Sequence, residues 1–298
     1  MNTTKETILV TGAGGNLGRL AVQWLLENYD GPIIAATRTP EKLSDLADRG
    51  VSVRHADFNQ AETLTDAFAG VQRLLLVSTD ALEVPGQRIT QHSNAIQAAV
   101  NAGVKHIVYT SFFNPEPGTA NLTAGDHYST EEAIKNSGLS YTILRSNLYA
   151  ENLLQSLTHT VATGQYAAAI GEGKIAYVTR KDCAHTAAAA LASSNTDKHT
   201  RNVTGPEALS GYDIAQILSD TTKKNIIYIP LETSQLVGIY ESFGVPNAVA
   251  HALASFDTAS ARGEYDQTST TVQELTGQAP TSLKPFLDEY YWKTITIC

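Results

Sequence analysis

The 298-residue chain is poor in sulfur and in basic side chains. It contains two cysteines and one methionine, and 21 lysines and arginines stand against 30 aspartates and glutamates. Cys183 and Cys298 are too few for a disulfide framework, so we expect reduced thiols and a cytoplasmic protein. The formal net charge of −9 disfavours nucleic acid as the main partner, because that binding depends on basic groups that neutralise phosphates. The same deficit disfavours an anionic membrane surface.

Long apolar runs are also missing. No run reaches the ~18–20 residues that span a bilayer, and residues 1–7 are polar, so we expect neither a membrane segment nor a signal peptide. Histidine, cysteine and aspartate do not occur at metal-ligand spacing, and no metal is expected. The composition is that of a globular protein, and the length permits one large domain or two of about 150 residues. We expect a monomer or a homodimer.

Apolar runs alternate with amphipathic stretches through the first half of the chain. The predicted strands cover residues 7–11, 33–37, 51–56, 74–78, 106–110 and 141–145. The predicted helices cover residues 16–28, 40–49, 62–68, 87–102 and 129–136. Strands that are apolar on both faces and alternate with helices belong in a parallel sheet covered on both sides. The sequence therefore predicts an α/β fold with a doubly wound sheet of the Rossmann type.

The regular alternation of predicted strands and helices ends after about residue 147. Three helical stretches are predicted at 181–193, 211–222 and 234–262, with short strands at 201–204 and 226–230. We interpret residues 1–147 as a dinucleotide-binding domain, to which a later strand can return. Residues 148–298 are interpreted as a smaller, mainly helical cap that binds substrate.

A glycine-rich loop lies between the first strand and the first helix. That context is the one in which such a loop binds a dinucleotide, with the helix N-terminus facing the phosphates. The strict G-x-G-x-x-G spacing fails because Leu17 occupies its last position, whereas Gly12-x-x-Gly15-x-x-Gly18 fits. The alternative is a tight turn without a ligand. The candidate cofactor contacts of this loop are Gly12, Gly14, Gly15, Asn16, Leu17 and Gly18.

The end of the second strand bears on the choice of cofactor. Enzymes that select NAD usually place a carboxylate there, but this strand is followed by Arg38, whose planar guanidinium suits a 2′-phosphate. Lys42 and Arg19 could add positive charge. NADPH is therefore the preferred cofactor, with NADH as the alternative. Asp57, after the third strand, either binds the adenine amino group or caps the following helix.

Several of these segments together resemble one known family. The matching stretches are residues 10–18, 36–42 (ATRTPEK), 50–58 (GVSVRHADF), 102–111 (AGVKHIVYTS), 137–152 (SGLSYTILRSNLYAEN) and 171–180 (GEGKIAYVTR). They resemble the NmrA-like branch of atypical short-chain dehydrogenases, especially its NAD(P)H:quinone oxidoreductases and triphenylmethane dye reductases. The resemblance implies a Rossmann domain and a small substrate domain. Some members bind NADP without turnover and act as redox sensors.

Ordinary short-chain dehydrogenases use a Tyr-x-x-x-Lys pair, in which lysine lowers the pKa of the tyrosine. Tyr128 is followed four residues later by Glu132, and Tyr141 by Arg145. We therefore interpret the chain as lacking the pair, which disfavours the oxidation of simple alcohols. Hydride transfer to a quinone demands less of the protein, because the acceptor is electron-poor and becomes aromatic on reduction.

The remaining candidates follow the predicted strands, since ligands of such sheets lie beyond the carboxyl ends of the strands. Ser78 and Ser111 could contact the nicotinamide ribose, and Asn147 its carboxamide. Phe112 and Tyr149 could form walls for a flat aromatic substrate. His127 and Tyr128, just before a predicted helix, are the candidate proton donors. Each also has a structural explanation: a strand-end serine can cap a turn, and Phe112 can belong to the core.

Three functions fit these features. The leading hypothesis is an NADPH-dependent reductase that transfers hydride to a flat, electron-poor acceptor such as a quinone. The second is a non-catalytic, NADP(H)-binding regulator that senses redox state. The third is an enone or imine reductase of specialised metabolism.

Overall fold

The computed structural model of the chain describes residues 5–81 and 84–295, so Cys298 lies outside the described residues. The strands are β1 Ile8–Val10, β2 Ile33–Thr37, β3 Ser52–His55, β4 Arg73–Leu76, β5 His106–Phe112, β6 Ser140–Ser146, β7 Gln165–Ala168, β8 Lys174–Ile175, β9 His199–Val203, β10 Leu209–Ser210 and β11 Ile227–Pro230. The helices are α1 Asn16–Asn28, α2 Ser44–Ala47, α3 Ala61–Phe68, α4 Gln87–Asn101, α5 Ala124–Asn136, α6 Leu154–Thr163, α7 Arg180–Ala192, α8 Gly211–Thr222, α9 Thr233–Ser242, α10 Asn247–Ala261, α11 Thr271–Thr276 and α12 Leu283–Ile295.

Seven strands form one sheet in the order β3-β2-β1-β4-β5-β6-β9. The pairs β2–β3, β1–β2, β1–β4 and β4–β5 are parallel. The strand order reverses between β1 and β4, which is the switch point where the loops that bind ligands diverge in folds of this kind. The predicted Rossmann-type sheet is confirmed.

The central strands are buried along their whole length. Every residue of β1, β2 and β4 is buried. Helices α3, α4 and α5 pack on one face, where Leu64, Ala95 and Ile134 join a shared apolar core. This burial on both faces explains why the strands are continuously apolar in the sequence.

The chain divides into two compact units. The first comprises the described residues up to Phe112, together with Asp126–Arg145 and Lys181–Arg201. The second comprises Phe113–Gly125, Ser146–Arg180 and the described residues from Asn202 onward. Each unit is thus assembled from three separate segments, and most of α7 returns to the first.

Arg73 joins distant parts of the first unit. This arginine in β4 is buried, and its Nε donates to the carbonyl oxygen of Leu191 at 2.8 Å. Its Nη2 donates to the carbonyl oxygens of Ala190 and Asn195 at 3.3 and 3.1 Å. A cation at the C-terminal end of α7 also suits the helix dipole. These bonds tie the first strands to a helix more than 100 residues later.

The second unit contains two small sheets besides its helices. Strands β7 and β11 pair in parallel, and β8 and β10 pair antiparallel. Of these four strands, only β11 was predicted. Helix α8 has the predicted bounds and begins with a capping box, in which Ser210 and Asp213 bond each other's backbone N–H groups.

Two predicted helices differ in the structure. The predicted helix at 40–49 is a 3-10 turn, Pro40–Leu43, followed by the single turn of α2. Helix α5 begins at Ala124 rather than at residue 129, so His127 and Tyr128 lie inside it. No helix in the described part of the chain has both the length and the apolar character to cross a membrane.

Candidate functional site

The glycine loop follows β1 and leads into α1, as predicted. Gly12 has φ +60°, which favours glycine, and it makes the turn after the strand. A Cβ on Gly18 would lie 2.3 Å from the carbonyl oxygen of Gly12. The first turn of α1 can therefore pack against the loop only if residue 18 has no side chain.

The start of α1 has the properties of an anion-binding site. Gly14, Gly15 and Asn16 are exposed, and the N-cap residue Gly15 provides no side chain to bond the first N–H groups. The first turn contains no acidic residue. Unpaired N–H groups and the partial positive charge of a helix N-terminus attract a phosphate. The residues present therefore fit the pyrophosphate of a dinucleotide.

Positive side chains follow β2, which ends at the buried Thr37. Arg38 and Lys42 are both exposed. Arg19 instead forms an ion pair with Asp45, which offsets its charge. Of the three cations that the sequence suggested for a 2′-phosphate, Arg38 and Lys42 are the two that remain candidates.

Asp57 follows β3 and is half-buried. Its Oδ1 accepts a hydrogen bond from the backbone N–H of Asn59 at 2.9 Å, and its own N–H donates to Oγ1 of Thr63 at 3.0 Å. Helix α3 has Gln60 as its N-cap residue. Asp57 therefore stabilises a turn ahead of the helix instead of capping it, and its contact with adenine stays a prediction.

The two serines predicted to contact ribose lie in different surroundings. Ser78 follows β4, is half-buried, and donates its N–H to Oγ1 of Thr110 at 2.8 Å. Ser111 in β5 is buried, and its hydroxyl donates to Oε1 of Glu131 at 2.6 Å. Ser111 could therefore only accept a hydrogen bond from a ribose, since its own hydrogen is already used.

Glu131 is fully buried in α5, and its carboxylate accepts several hydrogen bonds. Besides Ser111, Nε and Nη2 of Arg145 donate to its two oxygens at 2.8 and 2.6 Å. Lys135 lies 3.5 Å away on the same helix. This bidentate ion pair ties α5 to β6 at the level of Ser111.

His92, in α4, has a defined protonation state. The backbone N–H of Thr79 donates to its Nε2 at 3.0 Å, so Nδ1 carries the hydrogen and faces Oγ1 of Thr130 at 2.9 Å. Burial and the charge of Arg88 lower the pKa of His92 to about 3. His92 is thus a neutral bridge between the loop after β4 and helix α5.

His127 is also neutral and lies in a second chain of hydrogen bonds. An N–H of Arg88 donates to its Nε2 at 3.3 Å, so the hydrogen is on Nδ1, 2.9 Å from the hydroxyl oxygen of Tyr109. Burial, followed by the charge of Arg88, holds the pKa of His127 well below its usual value. In this arrangement both ring nitrogens have a protein partner. The role of His127 as proton donor stays a prediction.

Tyr128 follows His127 in α5, and Phe112 is a neighbour of His127 in space. Tyr128 is half-buried in α5, and the Phe112 ring lies 6.0 Å from the His127 ring, centroid to centroid. Phe112 is the last residue of β5, at the carboxyl edge of the sheet. The first unit thus places Phe112 at the edge where ligands of this fold bind, and contacts of Phe112 and Tyr128 with a substrate stay predictions.

Asn147 and Tyr149 belong to the second unit. The amide of Asn147 donates to the carbonyl oxygen of Tyr265 at 3.0 Å and accepts from the N–H of Leu148 at 2.8 Å. The guanidinium of Arg180 lies 5.2 Å from the centroid of the Tyr149 ring. Contacts of Asn147 and Tyr149 with cofactor or substrate stay predictions.

One Tyr-x-x-x-Lys spacing does occur, at Tyr177 and Lys181, so the prediction that the chain lacks it is wrong as a statement about the sequence. Tyr177 is buried in the second unit, where burial and the charge of Asp257 raise its pKa. Lys181 is exposed and belongs to the first unit. A catalytic tyrosine requires the opposite shift, a lowered pKa.

Arg88, Tyr109 and Glu131 are parts of this site that were not predicted from the sequence. Their contacts join residues that are far apart in the chain. One signal was present: Arg88 and His92 lie on the same face of α4 as the core residues Ala95 and Ala99. Polar side chains on an apolar helix face require buried partners. Cys183, in α7, is buried.

The sheet order and the glycine-lined start of α1 define a Rossmann-type protein with a dinucleotide site. The model of the NmrA-like family matches residues 4–292. The chain belongs to this family, as its sequence motifs predicted.

Three matches, one in sequence and two in structure, show what the chain resembles. Quinone oxidoreductase 2 of Escherichia coli is 35% identical over 277 residues, which cover 93% of this chain and 96% of the relative. The structure of the E. coli NADPH-dependent quinone oxidoreductase complexed with NADPH has a TM-score of 0.90 at 33% identity, covering 95% and 99% of the two chains. Triphenylmethane reductase of Citrobacter sp., complexed with NADP(H), has a TM-score of 0.88 at 36% identity, with coverage of 95% and 99%.

Proposed function

We propose that this protein is an NADPH-dependent reductase that transfers hydride to a flat, electron-poor acceptor such as a quinone. The observation that carries the proposal is the glycine-lined start of α1, together with Arg38, which follows β2 where a carboxylate would select NAD. Relatives described as quinone oxidoreductase and triphenylmethane reductase support it.

The chain's own residues would bind and orient the reactants. Backbone N–H groups of Gly14 and Asn16 would hold the pyrophosphate, and Arg38 with Lys42 would hold a 2′-phosphate. The N–H of Gly15 donates instead to the carbonyl oxygen of Gly12 at 2.9 Å. Bound NADPH would supply the hydride. Phe112 would form a wall of the acceptor site, so that orientation and exclusion of water account for most of the catalysis.

The reduced acceptor needs a proton after it has received the hydride. Tyr128 is half-buried, directly follows His127 in α5 and carries a hydroxyl that can donate. His127 is neutral, and both of its ring nitrogens already form hydrogen bonds within the protein, with Arg88 and with Tyr109. We therefore assign proton donation to Tyr128 or to water, and assign to His127 the task of holding the Phe112 ring.

Substitution of Arg38 by aspartate should weaken the preference for NADPH over NADH. The carboxylate would repel a 2′-phosphate and could bond the ribose hydroxyls of NADH instead. We expect kcat/KM for NADPH to fall at least about tenfold, which corresponds to one charge-assisted hydrogen bond, while that for NADH changes little. Steady-state kinetics with both cofactors measure the effect. Arg49→Asp, an equal charge change before β3, is the control. Equal losses for the two cofactors in Arg38→Asp would contradict the assignment.

Turnover with a panel of acceptors tests the function itself. NADPH oxidation would be followed with 1,4-naphthoquinone, a triphenylmethane dye, an azo dye, an enone and an imine. We expect quinone to give the highest kcat/KM. Tight NADPH binding by calorimetry without oxidation in any assay would overturn the reductase and favour a redox-sensing regulator. Turnover of the enone or imine alone would favour specialised metabolism.

A further inference from the structure

Arg88 is a buried cation whose guanidinium has no close carboxylate in the described part of the chain. It lies in the first turn of α4 and is 7% exposed. None of the ion pairs within residues 5–81 and 84–295 includes it, and its Nε has no hydrogen-bond partner there. The negative charges of Asp80 and Asp126 interact electrostatically with the guanidinium without forming an ion pair. Burial of an unpaired charge costs free energy because the charge loses its hydration. The position of Arg88 is therefore unfavourable for stability and points to a role in function.

The position of Arg88 connects it with the proposed acceptor site. It donates to Nε2 of His127 at 3.3 Å, and the His127 ring lies 6.0 Å from the Phe112 ring that would form the wall. One turn further along α4, the buried Gln91 also has an unpartnered oxygen, Oε1. The guanidinium is the positive charge nearest to His127, since the other groups around that ring, Tyr109 and His92, are neutral.

We propose that Arg88 makes the site selective for acceptors that gain negative charge when they receive hydride. The inference rests on the proposed function and names its substrate class. A neutral quinone that takes one hydride becomes a hydroquinone monoanion, which a proton then converts to hydroquinone. A triphenylmethane cation that takes one hydride becomes a neutral leuco dye. A fixed positive charge therefore favours the first reaction and disfavours binding of the second acceptor.

The expected size follows from Coulomb's law. A unit charge within about 10 Å of reacting atoms, at an effective dielectric constant near 20, changes a rate by roughly tenfold. Asp80 and Asp126 reduce this effect, and neither forms an ion pair with the guanidinium. Arginine stays protonated at every working pH, so the preference should not depend on pH.

Arg88→Gln tests the inference through the ratio of two activities. We expect kcat/KM for 1,4-naphthoquinone to fall about tenfold, while kcat/KM for crystal violet, a triphenylmethane cation, stays constant or rises. Arg88→Lys should keep most of the wild-type ratio because it keeps the charge. Arg49→Gln removes the same charge from an exposed position before β3, away from the carboxyl edge of the sheet, and should leave the ratio unchanged. A merely structural arginine would lower both activities together in Arg88→Gln, and that result would overturn the inference.

Binding of inert ions provides a readout without turnover, and it applies to wild type even if Arg88→Gln does not fold. Calorimetry in the presence of NADPH, whose reduced nicotinamide ring is neutral, would compare 2-naphthoate with the 2-naphthyltrimethylammonium cation, neither of which accepts hydride. We expect wild type to bind the anion at least about fivefold more tightly, and Arg88→Gln to lose that preference. Equal affinities of wild type for the two ions would contradict the inference. Failure of the proposed function is distinct, because wild type would then oxidise no NADPH with any acceptor.

Discussion

Alanine at position 18 should all but abolish cofactor binding. The added Cβ would lie 2.3 Å from the carbonyl oxygen of Gly12 and 2.7 Å from its carbonyl carbon, both of which are backbone atoms of the loop. The loop or the first turn of α1 must then move by about an ångström, and misplacement of that size costs about 100-fold in a positioned site. Overpacking also costs about 1–3 kcal/mol of stability. Calorimetric titration with NADPH and thermal unfolding measure the two effects.

Two other glycines serve as controls for this substitution. A Cβ on Gly15 would lie 3.3 Å from the same carbonyl oxygen of Gly12, so Gly15→Ala needs a shift of only a few tenths of an ångström. Gly125 in α5 has no atom within 4 Å of an added Cβ, and Gly125→Ala should be neutral or slightly stabilising. Wild-type NADPH affinity in Gly18→Ala would contradict the role assigned to this loop.

Replacement of Glu131 by glutamine should cause the largest loss of stability. Glu131 is fully buried and accepts hydrogen bonds from Ser111 and twice from Arg145. Glutamine has nearly the same shape, but it carries no charge and turns one acceptor into a donor that faces the guanidinium. Removal of one partner of a buried ion pair costs about 3–5 kcal/mol. Urea unfolding monitored by circular dichroism measures the loss.

The neighbouring Glu132 is a matched control. Its side chain is 43% exposed, and it bonds the same Lys135 at 2.8 Å, so Glu132→Gln should cost at most about 1 kcal/mol. A double variant with leucine at positions 131 and 145 should recover part of the loss, because it leaves no unpaired charge. Equally small losses in Glu131→Gln and Glu132→Gln would refute the assignment.

The sequence predicted those elements whose signals are local. Helix α1, strand β2 and helix α8 have the predicted bounds, because each consists of a regular apolar pattern between clear start and stop residues. The start of α5 was missed because Gly125 weakens the helical pattern of its first turn. The signal that precedes this helix is Asn121, whose Oδ1 accepts from the N–H and the hydroxyl of Thr123.

In the candidate site too, the features that depend on local sequence could be predicted, and those that depend on packing could not. The glycine loop could be predicted because Gly12 and Gly18 are only six residues apart and their function depends on local backbone geometry. The bonds from Arg88 to His127 and from Ser111 to Glu131 could not, since they depend on how α4, α5 and β5 pack. Sequence periodicity indicates which face of a helix is buried, but it does not indicate which polar side chains meet there.

The segmented first unit has a consequence for synthesis of the protein. Its last segment is Lys181–Arg201, and the carbonyl groups that accept from Arg73 lie at residues 190, 191 and 195. On the ribosome, strands β1 to β6 therefore emerge long before the guanidinium of Arg73 can find its acceptors and before β9 can cover the edge of β6. Until β9 has been synthesised and has paired with β6, the nascent sheet presents an open edge on which another chain could pair. We therefore expect chaperones that bind nascent chains to associate with this protein mainly between the synthesis of β6 and that of β9.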